Sequence, residues 1–385
     1  MTLSSNAPAP TPPPAPAKTA PRLRATTPDD YPRIERLEAS HGLLTMRGDH
    51  WLDLWRNNPV RSKRGDRWQA GWVLEDDSGK LVGSLANVPT MYTYQGRELV
   101  AATGRAWVVE PEYRGVALWL MEEYFLQERV DLFINTTVNA LAVDAFCTYG
   151  SARVPLGDWE TAWYWVTGYR GFAASALRIK GVGRGGLLAP VLAAVLRVKE
   201  AVTGKSLPGS PSASMLEWVD DFGPEFDGFW AELVRNNPEK LLAIRDVPTL
   251  RWHFAGALGE RTVWVLTARR NGLLRAYCIL KRQDHPPSGL VRMRLADYQN
   301  LDHDRDTLST LLRESLRRCA AEGIHVFEHV GGDLPKMAGI DRFAPYRRKL
   351  HSWPFYYKAI DPEVEAALRK PEVWDPSAFD GDTSL

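Results

Sequence analysis

The eight residues from Glu110 to Ala117, Glu-Pro-Glu-Tyr-Arg-Gly-Val-Ala, have the composition of an anion-binding turn. They join a β-branched strand, predicted over 106–109, to a helix predicted over 118–127. Unpaired backbone N–H groups at a helix N-terminus point at one spot, where the helix dipole favours negative charge. Such a turn can hold a pyrophosphate. The alternative from these residues alone is an ordinary strand-to-helix turn with a solvated Arg114.

The residues after this loop predict a further strand and helix. Residues 131–135 have the apolar character of a short buried strand, and 139–149 carry apolar residues at helical spacing before Gly150. The predicted order is therefore strand, anion-binding turn, helix, strand, helix.

These two segments resemble the GNAT superfamily of acyl-CoA N-acyltransferases. The signature loop of that family reads Pro-x-Tyr-Arg-Gly-x-Gly-x-Gly, and its next helix begins Asn-x-x-Ala-x-x-x-Tyr-x-x-x-Gly. Asn139, Ala142, Phe146 and Gly150 stand in register with the second pattern. Two patterns at the expected separation are more specific than either pattern alone.

The preceding residues follow the same family order. The sequence predicts a strand over 22–27, helices over 31–39 and 50–55, and strands over 68–75, 81–93 and 98–109. The resemblance covers about residues 22–167. It implies an α/β fold in which a mixed, mostly antiparallel twisted sheet is flanked by helices.

The second half of the chain repeats this order, which predicts a second, degenerate GNAT-like domain over 216–360. Its predicted elements are a helix over 222–234, strands over 262–268, 273–281 and 291–297, a helix over 307–321 and a strand over 323–330. The segment 298–304 replaces the glycine-containing loop and contains Asp302, His303 and Asp304. Carboxylates there would repel a pyrophosphate, so only the first copy is expected to bind the cofactor.

Three further segments complete the predicted organisation. Residues 1–21 are rich in proline and alanine and predict a disordered tail. Residues 168–215 predict a basic, apolar helical connector and a linker. Such a segment can lie peripherally on an anionic membrane surface, or it can pack between the two cores as a connector. Residues 361–385 are a C-terminal extension.

The composition fits a soluble protein of two domains: 385 residues, of which 44% are hydrophobic and 25% charged. A net charge of +1 argues against a dedicated nucleic-acid binder. The three cysteines are widely separated and indicate neither a disulfide framework nor a zinc site. We therefore expect no metal and a cytoplasmic location, with the inner face of the membrane as the alternative.

The resemblance implies roles for residues of the first domain. The strand backbone would hold the pantetheine arm at Trp107, Val108 and Val109. The loop would hold the pyrophosphate at Arg114, Gly115, Val116 and Ala117. Asn139 belongs to the second signature and is the remaining predicted cofactor residue. Glu110 and Glu112 are the candidate general bases, with solvated loop acids as the alternative. Tyr149 is the candidate general acid.

Three positions depart from the family pattern. Ala117 and Trp119 stand where the family has glycines, and Phe146 stands where many members have a tyrosine that protonates the leaving thiolate. These departures favour an alternative function, a catalytically inactive GNAT-like scaffold that binds a ligand or protein partner. The main prediction is an N-acyltransferase that moves an acyl group from acyl-CoA to an amine. The basic apolar segment gives weight to a lipid or other hydrophobic amine, and small polar amines and cell-wall precursors are the open alternatives.

Histidines and tryptophans suggest two further features. His325 and His329 share one face of a predicted strand and, with His303, could line an acceptor pocket or be structural. The 15 tryptophans are expected to lie mostly in the core, although an aromatic wall would also suit a long acyl chain.

Overall fold

The computed structural model describes residues 19–43, 45–65, 68–157, 159–182, 185–203, 215–302, 304–331, 346–350 and 353–385. The strands are β1 (Arg22–Ala25), β2 (Gly71–Glu75), β3 (Leu81–Tyr94), β4 (Arg97–Val109), β5 (Leu132–Asn135), β6 (Ala152–Arg153), β7 (Thr161–Val166), β8 (Leu216–Val219), β9 (Leu242–Ala243), β10 (Val263–Arg270), β11 (Leu273–Arg282), β12 (Arg292–Asn300), β13 (Val326–Val330), β14 (Tyr346–Lys349) and β15 (Tyr356–Ala359).

The helices are α1 (Tyr31–Ser40), α2 (Gly48–Arg56), α3 (Pro59–Arg64), α4 (Leu118–Leu126), α5 (Val143–Thr148), α6 (Tyr169–Ile179), α7 (Gly185–Val202), α8 (Glu225–Asn236), α9 (Val247–His253), α10 (Ala255–Gly259), α11 (Arg305–Ala321) and α12 (Pro362–Leu368). Short 3₁₀ helices cover Pro28–Asp30, Pro111–Val116, Ala140–Ala142, Pro286–Ser288 and Pro371–Val373.

The first sheet has the order β1-β2-β3-β4-β5-β15-β6, with β9 paired to one end of β3. Its strands run antiparallel from β1 to β4, whereas β4 and β5 run parallel. Both faces are covered, because aromatic residues of α4 pack in one cluster and those of α2 pack in another. Burial on both faces explains why β3 is apolar along most of its length.

The second sheet has the order β14-β7-β13-β12-β11-β10-β8. It repeats the parallel pairing of the first sheet, here between β12 and β13. The hairpin between β10 and β11 turns at Asn271 and Gly272, both with positive φ, which is the turn chemistry that an Asn-Gly pair predicts. The predicted α/β fold with two mixed sheets flanked by helices is confirmed.

Each sheet contains strands from the other half of the chain: β9 and β15 belong to the first sheet, and β7 belongs to the second. β7 precedes the predicted boundary at residue 167 but pairs with β13 and β14 of the second sheet. β15 comes from the end of the predicted second domain but lies between β5 and β6 of the first sheet. Sheet membership therefore does not follow the predicted boundary, because a local pattern specifies a strand without specifying its partner.

The connector between the domains is a helical hairpin formed by α6 and α7, whose contact is built from Ala173, Ala189 and Ala193. Among the described residues, no helix is long and apolar enough to cross a membrane. The predicted linker over 206–214, most of the N-terminal tail and His303 lie outside the described residues.

The C-terminal extension packs against both halves of the molecule. A buried ion cluster fixes it: Arg245 Nε donates to Asp297 Oδ2 at 2.8 Å, and Arg245 Nη2 lies 3.7 Å from Asp380 Oδ2. Ser377 Oγ donates to Asp297 Oδ1 at 2.7 Å, and Phe379 lies beneath the Arg245 guanidinium. These contacts hold residues 377–380 in a place to which no periodic pattern in the sequence directs them.

Asp380 makes the attachment of this segment pH-dependent. Burial raises the pKa of Asp380 to about 6, and the neighbouring Arg245 opposes the rise. A carboxyl whose pKa is raised in the folded state lowers the stability once it ionises. The free energy of unfolding of the wild type therefore falls as pH rises from about 4 to about 6, and above that pH this group changes it no further.

We therefore expect Asp380→Asn to change the free energy of unfolding differently at different pH. Relative to the wild type, the variant should gain about 3 kcal/mol between pH 4 and pH 7, because it cannot ionise. Urea unfolding monitored by tryptophan fluorescence at a series of pH values measures this difference. A difference that stays constant with pH would contradict the assignment.

Candidate active site

β4 carries a β-bulge within the predicted cofactor segment. Its pairing with β3 shifts between Ser84 and Ala86, so Ala106 and Trp107 stand opposite Leu85 alone. Ala106 has a φ of 53°, in the left-handed region that non-glycine residues rarely adopt. Bulges and strained residues of this kind occur frequently beside functional sites, where they redirect side chains.

β4 and β5 separate immediately after a short parallel pairing. They pair where Ala101 and Ala102 face Leu132 and Phe133. Asn135 then occupies the widening gap, and its Oδ1 accepts hydrogen bonds from the Gly104 N–H at 3.1 Å and the Tyr124 hydroxyl at 3.2 Å. A Cβ at residue 104 would lie 2.9 Å from this oxygen, so glycine permits the contact. The two strands are therefore wedged apart by a side chain.

A cavity of about 520 Å³ opens at this wedge, within the size range of small-molecule and cofactor sites. Its apolar wall includes Leu85, Trp107, Met121, Val138 and Phe146. Its polar wall includes Arg105, Asn135, Thr137, Gln283 and Asp382. Because Gln283 follows β11 and Asp382 belongs to the C-terminal segment, the second half of the chain helps to build a cavity in the first sheet.

Three buried donors in this wall have no hydrogen-bond partner within the part of the chain that the structure describes. They are Trp107 Nε1, Asn135 Nδ2 and Arg105 Nη1. Buried polar groups are normally paired, and an unpaired one is costly. The residues that carry these donors line the cavity, but the three donor atoms are themselves buried, so a ligand reaches them only if the side chains shift.

The Asp382 side chain places a carboxylate in the cavity lining. Its Oδ1 accepts hydrogen bonds from the hydroxyls of Thr136 and Thr137, both at 3.0 Å. Gly381 makes this approach possible, because it has a φ of 66° and a Cβ there would lie 2.5 Å from Thr136 Oγ1. Burial raises the pKa of the Asp382 carboxyl, and Arg105 and the two threonines oppose that rise.

The backbone around Asp382 is held by the second half of the chain. Lys281 Nζ donates to the carbonyl of Ser384 at 2.7 Å, and Gln283 Nε2 donates to the carbonyl of Thr383 at 3.3 Å. His253 Nε2 lies 2.7 Å from Ser384 Oγ, and burial lowers the pKa of this histidine, which keeps it neutral. Asp382 is thus positioned from both sides.

Arg105 is the cation shared by the buried charges near this end of the cavity. Burial raises the pKa of Glu38, and Arg105 opposes it as it does at Asp382. Burial and, to a smaller extent, the neighbouring Arg105 together lower the pKa of Lys281 to about 8. Arg105 thus interacts electrostatically with the carboxylates of Glu38 and Asp382 and with the Lys281 ammonium. Of the two carboxylates, only Asp382 is part of the cavity lining.

The structure brings some of the predicted cofactor residues into the cavity. Trp107 and Asn139 line it, and the Trp107 ring packs edge-on against Phe146 at 6.5 Å. Asn139 Oδ1 also accepts the Leu141 N–H at 3.0 Å and so begins the following 3₁₀ helix. Val108 and Val109 lie beyond the bulge, where Val108 is buried against Ser84 of β3.

The predicted pyrophosphate loop is a 3₁₀ helix that runs directly into α4. Arg114 and Gly115 are exposed, and a Cβ at Gly115 would meet nothing within 4 Å. The Ala117 N–H donates to the Arg114 carbonyl at 3.2 Å, so it is already used. Val116 and Ala117 are half-buried and lead into the first turn of α4. The open side of the loop is therefore at Arg114 and Gly115.

The three predicted catalytic residues lie outside the cavity lining. Glu110 Oε1 accepts from Lys80 Nζ at 3.0 Å, and this pair lines a separate open depression. Glu112 is exposed on the loop. Tyr149 stacks on Phe125 at 5.2 Å and donates to the Leu118 carbonyl at 3.3 Å, while burial raises the pKa of its hydroxyl.

The histidines and most tryptophans have structural surroundings. His325 Nδ1 accepts the Val291 N–H at 3.1 Å, and burial lowers the pKa of His329 to about 4. Trp68 is half-buried, and six other tryptophans of the first half are buried: Trp51, Trp55, Trp72, Trp159, Trp163 and Trp165. In the described part of the chain, no group of histidine, cysteine and carboxylate residues could hold a metal ion.

Sequence reasoning missed Asp382, Asn135, Thr136 and Thr137. The threonine pair directly follows a buried strand, and Gly381 precedes the aspartate, so these positions carry weak signals of a strand-end site and of a tight backbone approach. Thr137 and Asp382 are 245 positions apart in the sequence. Nothing in the short polar segment around Asp382 indicates that it contacts a residue so distant in the chain.

Both sheets of the chain combine antiparallel strands with one parallel pair, and the first sheet carries the bulge and the wedge between β4 and β5. No protein-family model matches the sequence, and no curated protein matches it. Solved structures show the likeness instead.

The N-myristoyltransferase of Saccharomyces cerevisiae, solved with bound myristoyl-CoA, is similar with a TM-score of 0.56 and 11% identity, over 90% of this chain and 80% of that chain. A GCN5-related N-acetyltransferase from Anabaena variabilis has a TM-score of 0.52 and 10% identity, over 88% and 73% of the two chains. A probable N-acyltransferase from Enterococcus faecalis has a TM-score of 0.53 and 11% identity, over 89% and 73%. The predicted GNAT-like fold is confirmed.

Proposed function

We propose that this protein is an N-acyltransferase that moves an acyl group from acyl-CoA to an amine. The observation that carries the proposal is the cavity at the β4–β5 wedge, whose lining combines an apolar wall with the Asp382 carboxylate and other polar side chains. Similar folds belong to proteins named as N-acyltransferases, one of them solved with myristoyl-CoA bound. The cavity supplies what the reaction requires, a thioester site beside a base.

The reaction needs a neutral amine, a stabilised oxyanion and a protonated leaving thiolate. Asp382 accepts the proton that the amine nitrogen loses as its lone pair attacks the thioester carbonyl, since its side chain places a carboxylate in the wall and its two threonine donors fix its orientation. The same proton leaves with the CoA thiolate as the C–S bond breaks. Trp107 Nε1 and Asn135 Nδ2, which are buried and unpaired, become donors to the pantetheine arm or the thioester carbonyl once their side chains shift to expose them. Holding the two substrates together in a water-poor cavity supplies a further large part of the rate.

The pyrophosphate of the acyl-CoA lies at the loop in this proposal. Arg114 and Gly115 present an exposed guanidinium and an open backbone there, and the N-terminal turn of α4 adds a favourable dipole. Further contacts with the acyl-CoA remain predictions: those of Val116 and Ala117 with the pyrophosphate, and those of the Val108 and Val109 backbone with the pantetheine arm. Glu110, Glu112 and Tyr149 remain predicted acid–base groups, for which the geometry supplies no access to the cavity.

Arg114→Glu tests the loop. We expect the variant to bind CoA at least about tenfold more weakly than the wild type, since a favourable charge becomes repulsive near a pyrophosphate. Isothermal titration calorimetry with CoA and with myristoyl-CoA gives the dissociation constants. Arg369→Glu, at a side chain that is 74% exposed just after the end of α12, is the matched charge control and should bind as the wild type does.

Absence of CoA and acyl-CoA binding to the wild type would favour the inactive scaffold. If the wild type binds both, release of free CoA thiol in the presence of a panel of amines identifies the acceptor. The apolar wall around Trp107 and Phe146 supports a lipid or other hydrophobic amine as the acceptor class. Peripheral contact with the inner face of the membrane, through residues 168–205, would bring the protein to such amines.

A further inference from the structure

The helical hairpin formed by α6 and α7 carries an unusual exposed face. Five large apolar residues of α7 are more than half exposed: Leu188 52%, Val191 65%, Val195 58%, Val198 64% and Val202 82%. Their spacing of three, four, three and four residues places them in one stripe, about 21 Å long at the rise of an α-helix. Soluble surfaces carry isolated apolar residues commonly, but a continuous stripe marks an interaction surface.

The opposite face of α7 is already used. Ala189 and Ala193 are buried against α6, and Glu200 is 2% exposed and accepts a hydrogen bond from the Tyr169 hydroxyl. The single acid of this helix therefore points inward. The stripe is not the hairpin's own packing surface, and it remains available to a partner.

Cations border the exposed apolar face on both sides. At about 100° per residue, Pro190, Ala194 and Ala201 widen the apolar stripe, while Arg197 and Lys199 fall at its two edges. Both cations are exposed, and Arg197 leans over the Tyr169 ring at 5.8 Å. At the turn of the hairpin, Ile179 and Lys180 are exposed as well.

We propose that α7 lies in the interfacial region of an anionic lipid membrane, with the Leu188–Val202 stripe inserted between the headgroups. An apolar face bordered by lysine and arginine, whose side chains reach up to lipid phosphates, is the pattern of an interfacial helix. In the described residues of the hairpin, 169–182 and 185–203, five cations stand against the one buried acid.

The same charges disfavour a second copy of this chain as the occupant. Helices that pair through a stripe of this spacing usually place opposite charges along its edges. Here the edges carry cations on both sides, so two copies would bring like charges together. A negatively charged lipid surface complements the edges and the stripe at once.

Vesicle flotation tests the proposal with the full chain and without acyl-CoA, so the result is independent of acyl transfer. Vesicles of phosphatidylglycerol mixed with phosphatidylcholine should recover the wild type, whereas pure phosphatidylcholine should recover at least about tenfold less. V195E/V198E places charges in the stripe. K180E/K199E reverses the cation at the turn of the hairpin and one cation at the edge of the stripe. Each double variant should lower recovery on the anionic vesicles by about tenfold or more.

Leu273→Glu is the matched control, because Leu273 is 66% exposed at the start of β11, away from the hairpin, and should leave recovery unchanged. All substituted residues are exposed, and circular dichroism melting verifies that each variant folds. Equal recovery of wild type and V195E/V198E overturns the proposal, as does equal recovery on the two kinds of vesicle. A wild-type dimer that V195E/V198E dissociates in sedimentation velocity also overturns it, because a second copy would then occupy the stripe.

Discussion

Asp382→Asn should lower kcat for acyl transfer by about 10²–10⁴-fold while leaving acyl-CoA affinity nearly unchanged. The amide is close in size to the carboxylate and can still accept from Thr136 and Thr137, so the cavity keeps its shape. It cannot, however, take a proton from the attacking amine. Steady-state release of CoA thiol with the amine acceptor, together with calorimetric binding of acyl-CoA, separates the two effects.

The pH dependence of the wild type provides a second readout of the same residue. A base works in its deprotonated form, so kcat/KM should fall as pH drops through the pKa of Asp382, which burial places above its ordinary value. Asp382→Asn should lose this acidic limb. A structural role alone would lower activity at every pH without moving the profile.

Glu110→Gln and Glu112→Gln are the matched carboxylate controls. Glu110 is paired with Lys80 and Glu112 lies on the exposed loop, so each substitution should change kcat less than Asp382→Asn does. A larger loss from either glutamine variant would transfer the role of base to the loop carboxylates and would show that the loop moves when substrate binds.

The sequence predicted the parts of the fold that local periodicity determines. The alternation of β10 and β11, with Asn271 and Gly272 between them, indicates a hairpin, and the spacing of Leu308, Leu311 and Leu312 indicates the buried face of α11. Both features depend on residues that are close together in the chain, so no distant contact is needed to find them.

The site was predicted less completely because it depends on distant contacts. Trp107, on the strand predicted to hold the pantetheine arm, and Asn139, in the helix signature, both line the cavity, while their roles in cofactor binding stay predictions. Glu110 lies at the correct end of β4, but the register with β3 directs it to Lys80. The left-handed Ala106 and the arrival of Asp382 follow from tertiary packing that overrides local preference, and the exchange of β7 and β15 likewise depends on pairing between distant strands.

Arg245→Met should destabilise the protein by about 3–5 kcal/mol, which is the cost of removing one partner from a buried ion pair. Arg245 and Asp297 are 1% and 0% exposed, so the aspartate would be left in the core without its main counter-charge. Urea unfolding measures the loss. The exposed pair Arg251 and Asp221, whose side chains are each 53% exposed, gives the control Arg251→Met, for which a change within about 1 kcal/mol is expected.

Arg245→Met should also release the C-terminal segment before the molecule unfolds as a whole. Asp297, Ser377 and Asp380 meet at this guanidinium, and Asp382 lies only two residues beyond Asp380. At a urea concentration where the variant is still folded, hydrogen exchange should increase in residues 377–385, and kcat should fall because the base is no longer held at the cavity. Unchanged exchange in that segment, with lowered global stability, would show that the contacts of Ser384 with His253 and Lys281 suffice to hold the segment without the ion cluster.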